Sequence, residues 1–269
     1  PCIGLSAVYS REVLGLNQNN SVMVVLPADH LVGKEERFRN ILRRASNVAF
    51  DREKLVTLGI RPTKPATGYG YIEAGEVLEG DGEAREVLSF TEKPDLATAE
   101  DFLEAGNYYW NSGTFIWRTD QLLDNLRRHM TGMYKGLQNI ADSFKSSAKD
   151  EVLREEYENF PSISIDYGLM EKSEQRAVIP ASVEWSDLGD WPSFKQLLES
   201  DGEGNSLNGE VICEDSKDSL IFNDTQKPVV ALGLSGAVVV NTSHSLLVMD
   251  KSKAQEVKRI AQEIEEKEV

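Results

Sequence analysis

The sequence predicts an α/β protein built on a parallel sheet, followed by a small β module. The five apolar residues from Val22 to Leu26 are typical of a strand buried on both faces, as strands of parallel sheets are. Residues 34–50 repeat apolar side chains at helical spacing, and Leu55–Ile60 is a second apolar run. A strand, a helix and a strand in this order fit a right-handed βαβ unit of a parallel sheet.

The stretch up to residue 201 alternates further helices and strands. Thr98 and Asp101 resemble a capping box that opens a short helix, which ends at Gly106. Tyr108–Trp117 is aromatic and strand-like, and residues 119–159 have the periodicity of two or three amphipathic helices. The other predicted elements are a helix in residues 1–16, a Pro- and Gly-rich loop over Pro62–Gly75, strands at Val87–Phe90 and Ala177–Ile179, and a helix over residues 192–199.

A cluster of Gly and Asn at residues 202–209 marks a change in composition. We place a domain boundary there, between a larger domain of residues 1–201 and a module of residues 202–269. Short apolar runs in the module indicate an all-β structure, and a charged helix from Lys251 closes it. The runs are Val211–Cys213, Leu220–Phe222, Val229–Ala231, Ala237–Val240 and Leu246–Met249.

Composition excludes several classes of function. A net charge of −16 argues against non-specific binding of nucleic acid or of a membrane surface, and it means that a phosphate site needs a local cation. Two cysteines give no disulfide framework and fit a reducing cytoplasm. No apolar run reaches the ~20 residues of a membrane span. Three histidines argue against a multi-histidine zinc site.

Two aspartates follow predicted strands. Pro27 cannot donate to a sheet ladder, so the first strand ends there and delivers Asp29 just beyond its carboxyl edge, where ligands bind in open α/β sheets. Asp187 precedes Gly189 in a predicted turn. Two such carboxylates could share one magnesium ion. The alternatives are that Asp29 caps the next helix and that Asp187 only hydrogen-bonds its own turn.

Three further motifs carry groups suited to a sugar phosphate. Tyr69 lies between two glycines whose backbone could approach a ligand, although a plain tight turn has the same pattern. Lys93 could contact a phosphate while Glu92 accepts sugar hydroxyls, or both could be a solvated strand end. Asn111 offers an amide that both donates and accepts, or it marks a bend in a strand.

In this order the motifs resemble the mannose-1-phosphate guanylyltransferase family, and the match covers essentially the whole chain. The resemblance implies a Rossmann-like α/β nucleotidyltransferase domain and a smaller C-terminal β-rich module. The motifs are Leu26-Pro27-Ala28-Asp29-His30, Thr67-Gly68-Tyr69-Gly70-Tyr71-Ile72, Phe90-Thr91-Glu92-Lys93-Pro94, Trp110-Asn111-Ser112-Gly113, Ser164-Ile165-Asp166-Tyr167 and Trp185-Ser186-Asp187-Leu188-Gly189.

The same resemblance implies roles for these residues. Asp29 and Asp187 would hold a catalytic Mg²⁺, and Lys93 would contact the sugar phosphate. The sugar pocket would be lined by Tyr69, Gly70, Glu92 and Asn111, with Asp166 and Glu171 bracing the site. The implied reaction joins mannose 1-phosphate and GTP to give GDP-mannose and pyrophosphate. The implied protein is cytoplasmic, binds neither nucleic acid nor membrane, and could form a homodimer.

The sequence departs from the family pattern at its start. Family members open with a Gly-rich phosphate loop, whereas this sequence begins at Pro1 with a segment that resembles a later helix. We expect the family's first βαβ segment to be missing, with its main triphosphate and guanine contacts, so that this polypeptide alone does not bind GTP productively. We also expect Val22–Leu26 to have lost a neighbouring strand and to expose an apolar edge. We also expect the zinc-binding isomerase domain of bifunctional members to be absent, because the sequence ends at Val269 and has three histidines.

Two alternatives stay open at this point. The first is a nucleotidylyltransferase for another sugar 1-phosphate, such as glucose 1-phosphate with UTP or dTTP. The second is a catalytically silent binding or regulatory fragment that keeps the sugar-phosphate half of the site.

Overall fold

The computed structural model describes residues 1–80 and 82–268. Its helices are α1 Cys2–Glu12, α2 Glu35–Asp51, α3 Leu96–Ala105, α4 Thr119–His129, α5 Thr131–Ser143, α6 Lys149–Asn159, α7 Trp191–Lys195 and α8 Val257–Glu268. Its strands are β1 Val22–Val25, β2 Leu31–Val32, β3 Leu55–Ile60, β4 Tyr71–Val77, β5 Arg85–Thr91, β6 Tyr108–Arg118, β7 Arg176–Ala181, β8 Trp185–Ser186, β9 Ser206–Asn208, β10 Val211–Glu214, β11 Leu220–Asn223, β12 Val229–Leu232, β13 Ala237–Asn241 and β14 Leu246–Asp250.

The chain divides into two compact units. The first consists of Pro1–Ala28 with Val32–Trp185, and the second of Asp29–Leu31 with Ser186–Val269. The α/β class and the β-rich C-terminal module are confirmed. The boundary at residues 201–202 stays a prediction.

The first unit contains a six-stranded mixed sheet in the order β1-β6-β3-β7-β5-β4. Strands β3 and β7 are parallel, whereas β6 runs antiparallel to β1, β3 and β4. The expectation of a parallel sheet is therefore wrong for most of these pairings. The eleven-residue β6 lies between β1 and β3, so the two strands of the expected βαβ unit run in one direction without touching.

Strand β1 is not buried on both faces, which corrects the expectation for Val22–Leu26. Among the described residues it pairs only with β6 and lies at the sheet edge. Val24 is 39% exposed and Leu26 47% exposed. A run of apolar residues fixes neither the number of neighbouring strands nor which strand is the neighbour, and here β1 lies at the end of the sheet.

Helices cover both faces of this sheet because strand side chains alternate. Phe115 and Trp117 of β6 point into a core with α1, α4 and α5, whereas Ile116 points into a core with α2. The buried stripe of α2 has the helical spacing that the sequence predicts. It consists of Ile41, Ala45, Val48 and Ala49.

Several local expectations need correction. The α3 helix is capped by Asp95, whose side chain accepts a hydrogen bond of 2.8 Å from the Thr98 amide, and not by a capping box at Thr98. Its end at Gly106 is as expected, since that residue adopts the left-handed conformation. The second half of the expected loop Pro62–Gly75 is strand β4, and α7 is shorter than the expected helix over residues 192–199.

The second unit is a small stack of mostly parallel strands. Strands β9, β11 and β13 pair in parallel, as do β10 and β12, while β14 runs antiparallel to β13 and ends its sheet. Asn223 and Asn241 are paired residues at the ends of the parallel strands β11 and β13. Nδ2 of Asn241 donates to Oδ1 of Asn223 at 3.0 Å. Stacked amides of this kind satisfy the turn backbone between parallel strands.

No helix among the described residues has the length and apolar character that crossing a bilayer requires.

Candidate functional site

Three neighbouring strands bring the expected sugar-pocket residues together in the first unit. Gly70 directly precedes β4, Glu92 directly follows β5, and Asn111 lies within β6. The Asn111 backbone amide donates to the carbonyl of Gly70 at 2.8 Å, and the Lys93 amide donates to the carbonyl of Tyr69 at 3.2 Å. A Cβ atom on Gly70 would collide with Oε2 of Glu92, so glycine here leaves the space that this carboxylate occupies.

Asn111 sits at an irregularity of the sheet. The β3–β6 register shifts between Thr57 and Gly59, and Gly113 adopts a φ of 69°, which glycine tolerates without steric cost. The bulge directs the Gly113 amide back to Oδ1 of Asn111 at 3.2 Å. The hydroxyl of Thr57, which is fully buried, lies 3.2 Å from the same oxygen.

Asp166 contacts the nitrogen of the Asn111 side-chain amide. Nδ2 of Asn111 donates to Oδ1 of Asp166 at 2.9 Å. Asp166 begins a π-helical turn, a rare conformation that is frequent at functional sites. The buried Arg176 fixes the end of that turn by donating to the carbonyl of Met170 at 2.8 Å. Whether Asp166 braces the site or contacts a ligand stays a prediction.

Glu92 and Lys93 have opposite environments. The side chain of Glu92 is 15% exposed and that of Lys93 is 62% exposed, with 3.9 Å between Oε1 and Nζ. Burial raises the pKa of Glu92, the charges of Asp166 and Glu171 raise it further, and Lys93 lowers it. Burial also raises the pKa of Asp166. Lys93 has a φ of 48°, so a non-glycine residue is held in the left-handed region.

Aromatic side chains form a cluster beside these polar groups. The ring of Tyr69 lies edge-on to Trp110 at 4.9 Å and to Trp185 at 5.5 Å between centroids. Edge-to-face packing of this kind fixes ring orientation. Tyr69 is therefore held in place as one rigid side of the candidate pocket.

We expect Glu92→Gln to stabilise the fold at neutral pH while it weakens any binding of sugar hydroxyls. The pKa of Glu92 in the folded protein is raised above its ordinary value of 4.5. The contribution of Glu92 to the free energy of unfolding is therefore fully present below pH 4.5 and is lost as the pH rises through the folded-state pKa. The amide cannot ionise, so the Tm of the variant should exceed that of the wild type at about pH 7.5 and approach it near pH 4.

Thermal unfolding of both proteins at several pH values measures this difference. Glu76→Gln, at an exposed position of β4, is the matched control and should leave the Tm nearly unchanged. A Tm difference between Glu92→Gln and wild type that does not vary with pH would contradict the assignment.

The two aspartates expected to bind metal both belong to the second unit. The short strands β2 and β8 pair with each other. Gly33, after β2, donates to the carbonyls of Val183 and Glu184, before β8, so the two strands run in opposite directions. Asp29 precedes the first of these strands and Asp187 follows the second, so both aspartates lie at the same end of the pair.

The turn after β8 is built around Asp187. Its Oδ1 accepts a hydrogen bond from the Gly189 amide at 3.2 Å, and a Cβ atom on Gly189 would lie 2.7 Å from its Oδ2. Leu188 between them has a φ of 51°, a strained conformation for a non-glycine residue. Glycine at position 189 thus makes room for the carboxylate, and the turn fixes one of its oxygens.

These carboxylates fit a magnesium ion as partial ligands. Among the described side chains, those of residues 1–80 and 82–264, no group of three or more His, Cys, Asp and Glu is arranged to hold a metal. Magnesium is commonly bound by one or two carboxylates, with waters and substrate phosphates completing its shell. Asp29 and Asp187 would supply such a pair.

The structure thus brings the expected residues into two sets, each within one unit. The first contains Tyr69, Gly70, Glu92, Lys93, Asn111 and Asp166, and the second contains Asp29 and Asp187. Thr57, Gly113 and Arg176 were missed by sequence reasoning. A threonine inside an apolar strand was the one available signal, since buried hydroxyls need a partner.

Two family models match successive parts of the chain. Residues 5–204 match the family model described as "Nucleotidyl transferase", and residues 209–264 match "MannoseP isomerase/GMP-like beta-helix domain". A solved structure described as mannose-1-phosphate geranyltransferase from Thermus thermophilus is 32% identical, with a TM-score of 0.83 over 98% of this chain and 75% of that one.

Two curated relatives are similar over most of this chain. Xanthan biosynthesis protein XanB of Xanthomonas campestris is 37% identical over 98% of this chain and 54% of its own length. Mannose-1-phosphate guanylyltransferase of Escherichia coli is 36% identical over 91% of this chain and 53% of its own length. This chain spans about half the length of the curated relatives it matches.

Proposed function

Because this chain belongs to the nucleotidyl transferase family, we propose that the protein carrying it transfers GMP from GTP to mannose 1-phosphate. The products are GDP-mannose and pyrophosphate. The observation that carries the proposal is the side-chain cluster of the first unit, where a carboxylate, an amide and a lysine meet at Gly70 and beside Tyr69. The names of the relatives from Escherichia coli and Thermus thermophilus support mannose 1-phosphate as the sugar phosphate.

The chemistry needs positioning and charge neutralisation and no protein nucleophile. A phosphate oxygen of mannose 1-phosphate attacks the α-phosphorus of GTP, and the bond from that phosphorus to the bridging oxygen of pyrophosphate breaks. Lys93 offsets the charge of the sugar phosphate, which the net charge of −16 would otherwise repel. Glu92 and Asn111 hold the sugar so that its phosphate faces the nucleotide.

Asp29 and Asp187 would hold Mg²⁺. When bound, the ion supplies positive charge to the phosphate oxygens of the nucleotide. Both cysteines are free thiols, which fits a cytoplasmic protein. A homodimer is also part of this proposal, and it rests on the resemblance to the mannose-1-phosphate guanylyltransferase family. Analytical ultracentrifugation of the full-length protein tests it.

A nucleotide panel tests the reaction. Purified full-length protein is incubated with GTP, UTP, dTTP or ATP and with mannose 1-phosphate or glucose 1-phosphate, and the products are identified by mass spectrometry. We expect GDP-mannose with the first sugar and GTP. A higher rate with glucose 1-phosphate and UTP or dTTP would support the alternative sugar specificity. Binding of mannose 1-phosphate in calorimetry without turnover would support a silent binding protein.

A further inference from the structure

A cavity of about 710 Å³ lies entirely within the second unit. Its lining residues all fall between Leu188 and Lys258, and neither Asp29 nor Asp187 is among them. The volume falls in the range of about 300–1,000 Å³ that is typical of small-molecule sites. A ligand in this cavity would therefore use none of the groups assigned to the sugar phosphate or to magnesium.

Three aromatic rings form the apolar wall of this cavity. Trp191 and Phe194 belong to α7, and Phe222 belongs to β11. The ring centroids of Trp191 and Phe194 are 5.6 Å apart, and each of these rings lies 5.8 Å from that of Phe222. Mutual packing of this kind fixes ring orientation. All three residues are half-buried, so the wall is an ordered aromatic surface that keeps part of its area uncovered.

Polar contacts tie the opposite wall to α7. This wall is the 3-10 helix that begins at Lys251, followed by the start of α8. Asp218 accepts from Lys195, at the end of α7, at 2.8 Å, and it also forms an ion pair with Lys251. Nε2 of Gln255 donates to Oδ2 of Asp190, directly before α7, at 3.1 Å. The two walls are therefore held in place without a ligand, which lowers the cost of ordering the site on binding.

Lys258 brings an uncompensated positive charge to the lining. Its neighbours Lys253 and Arg259 form ion pairs with Glu256 and Glu263. Among the described side chains, Lys258 has no such partner, and it is exposed. An ammonium group only donates, so the ligand group that it recognises best is an anion.

The carboxylate of the lining, Asp190, already accepts hydrogen bonds from the protein on both oxygens. Its Oδ1 accepts from the Ser193 amide at 2.8 Å and its Oδ2 from Gln255 at 3.1 Å. The polar requirement of the cavity is therefore set by Lys258 more than by Asp190.

We propose that this cavity binds a planar aromatic anion, with its rings against Trp191, Phe194 and Phe222 and its anionic group at Lys258. The apolar rings supply most of the affinity, because burial of their surface is favourable and an exposed ion pair contributes little. This inference does not rest on the proposed function, since no group assigned to a substrate takes part.

Dye binding tests the site. The full-length protein is titrated with 1-anilinonaphthalene-8-sulfonate and with its uncharged analogue N-phenyl-1-naphthylamine, and dye fluorescence is followed. Ala254→Trp fills the cavity from its wall and should weaken binding of both dyes by about tenfold or more. Lys258→Gln should weaken the sulfonate about two- to fivefold and leave the uncharged dye unaffected. Lys253→Gln, at an exposed lysine outside the lining, is the matched control and should bind as wild type does.

Several results would overturn the proposal. Wild-type affinity for the sulfonate in both Ala254→Trp and Lys258→Gln would rule out this cavity as the site, and Lys258→Gln decides alone if thermal unfolding shows that Ala254→Trp does not fold. Displacement of the dye by mannose 1-phosphate or GTP would assign the cavity to the catalytic site. Displacement by cyclohexanesulfonate as strong as that by naphthalene-2-sulfonate would exclude a preference for aromatic rings.

Discussion

Replacing Asp187 with Asn is expected to lower kcat of the full-length protein by at least about 100-fold while the fold is retained. Asn has the shape of Asp and keeps an oxygen that can accept from the Gly189 amide, the contact that now measures 3.2 Å. Only the negative charge is lost. If Asp187 merely stabilises its turn, Asn serves almost as well, so the isosteric variant separates a metal ligand from a turn residue.

Steady-state kinetics across a magnesium titration measures this effect. The apparent affinity for Mg²⁺ should fall together with kcat, because one of two proposed carboxylate ligands is gone. Asp224→Asn, which removes an exposed carboxylate from the same unit, is the matched control and should behave as wild type. Activity of Asp187→Asn within a few-fold of wild type would rule out the ligand role.

Replacing Lys93 with Gly is expected to raise KM for mannose 1-phosphate by about 10- to 100-fold without loss of stability. The variant removes the ammonium group that we propose offsets the sugar phosphate. The backbone at position 93, however, has a φ of 48°, which glycine adopts without steric cost. We therefore expect a free energy of unfolding that is unchanged or higher by up to about 1 kcal/mol.

Two further variants control for the backbone and the charge. Asp215→Gly changes another exposed residue with a positive φ of 49°, and it should alter stability in the same direction while leaving KM unchanged. Lys93→Arg keeps the positive charge and should recover part of the affinity. If Lys93→Gly unfolds the protein or leaves KM unchanged, the role assigned to this lysine is wrong.

The periodicity of the sequence predicted the helices better than the sheet. The apolar stripe of α2 fixes which side of that helix is buried, since helical contacts are local. Strand pairing is decided by distant segments. Nothing in Val22–Leu26 indicates that β6 would pair with it, and the correct neighbour follows only from the tertiary structure.

The candidate site residues were chosen by the order of their motifs along the chain, whereas their hydrogen bonding could not be predicted. Asp29, Lys93 and Asn111 each stand in a recognisable motif. The hydrogen bonds of the Asn111 side chain depend on a bulge at Gly113 and on the π-helical turn at Asp166, and both are products of packing. Sequence patterns carry the identity of a side chain but not which of its hydrogen-bonding positions folding has already used.

The last strand of the four-stranded sheet in the second unit, β14, runs in the opposite direction to the other three. Strands β9, β11 and β13 each offer the next strand a parallel template, and such a ladder could be extended by any further strand in the same direction. β14 runs antiparallel to β13 and is the last strand of this sheet, with Leu246 and Val248 exposed. The parallel direction of the stack therefore stops at β13, and a further strand could join the sheet at β14 only by pairing with a strand of reversed direction.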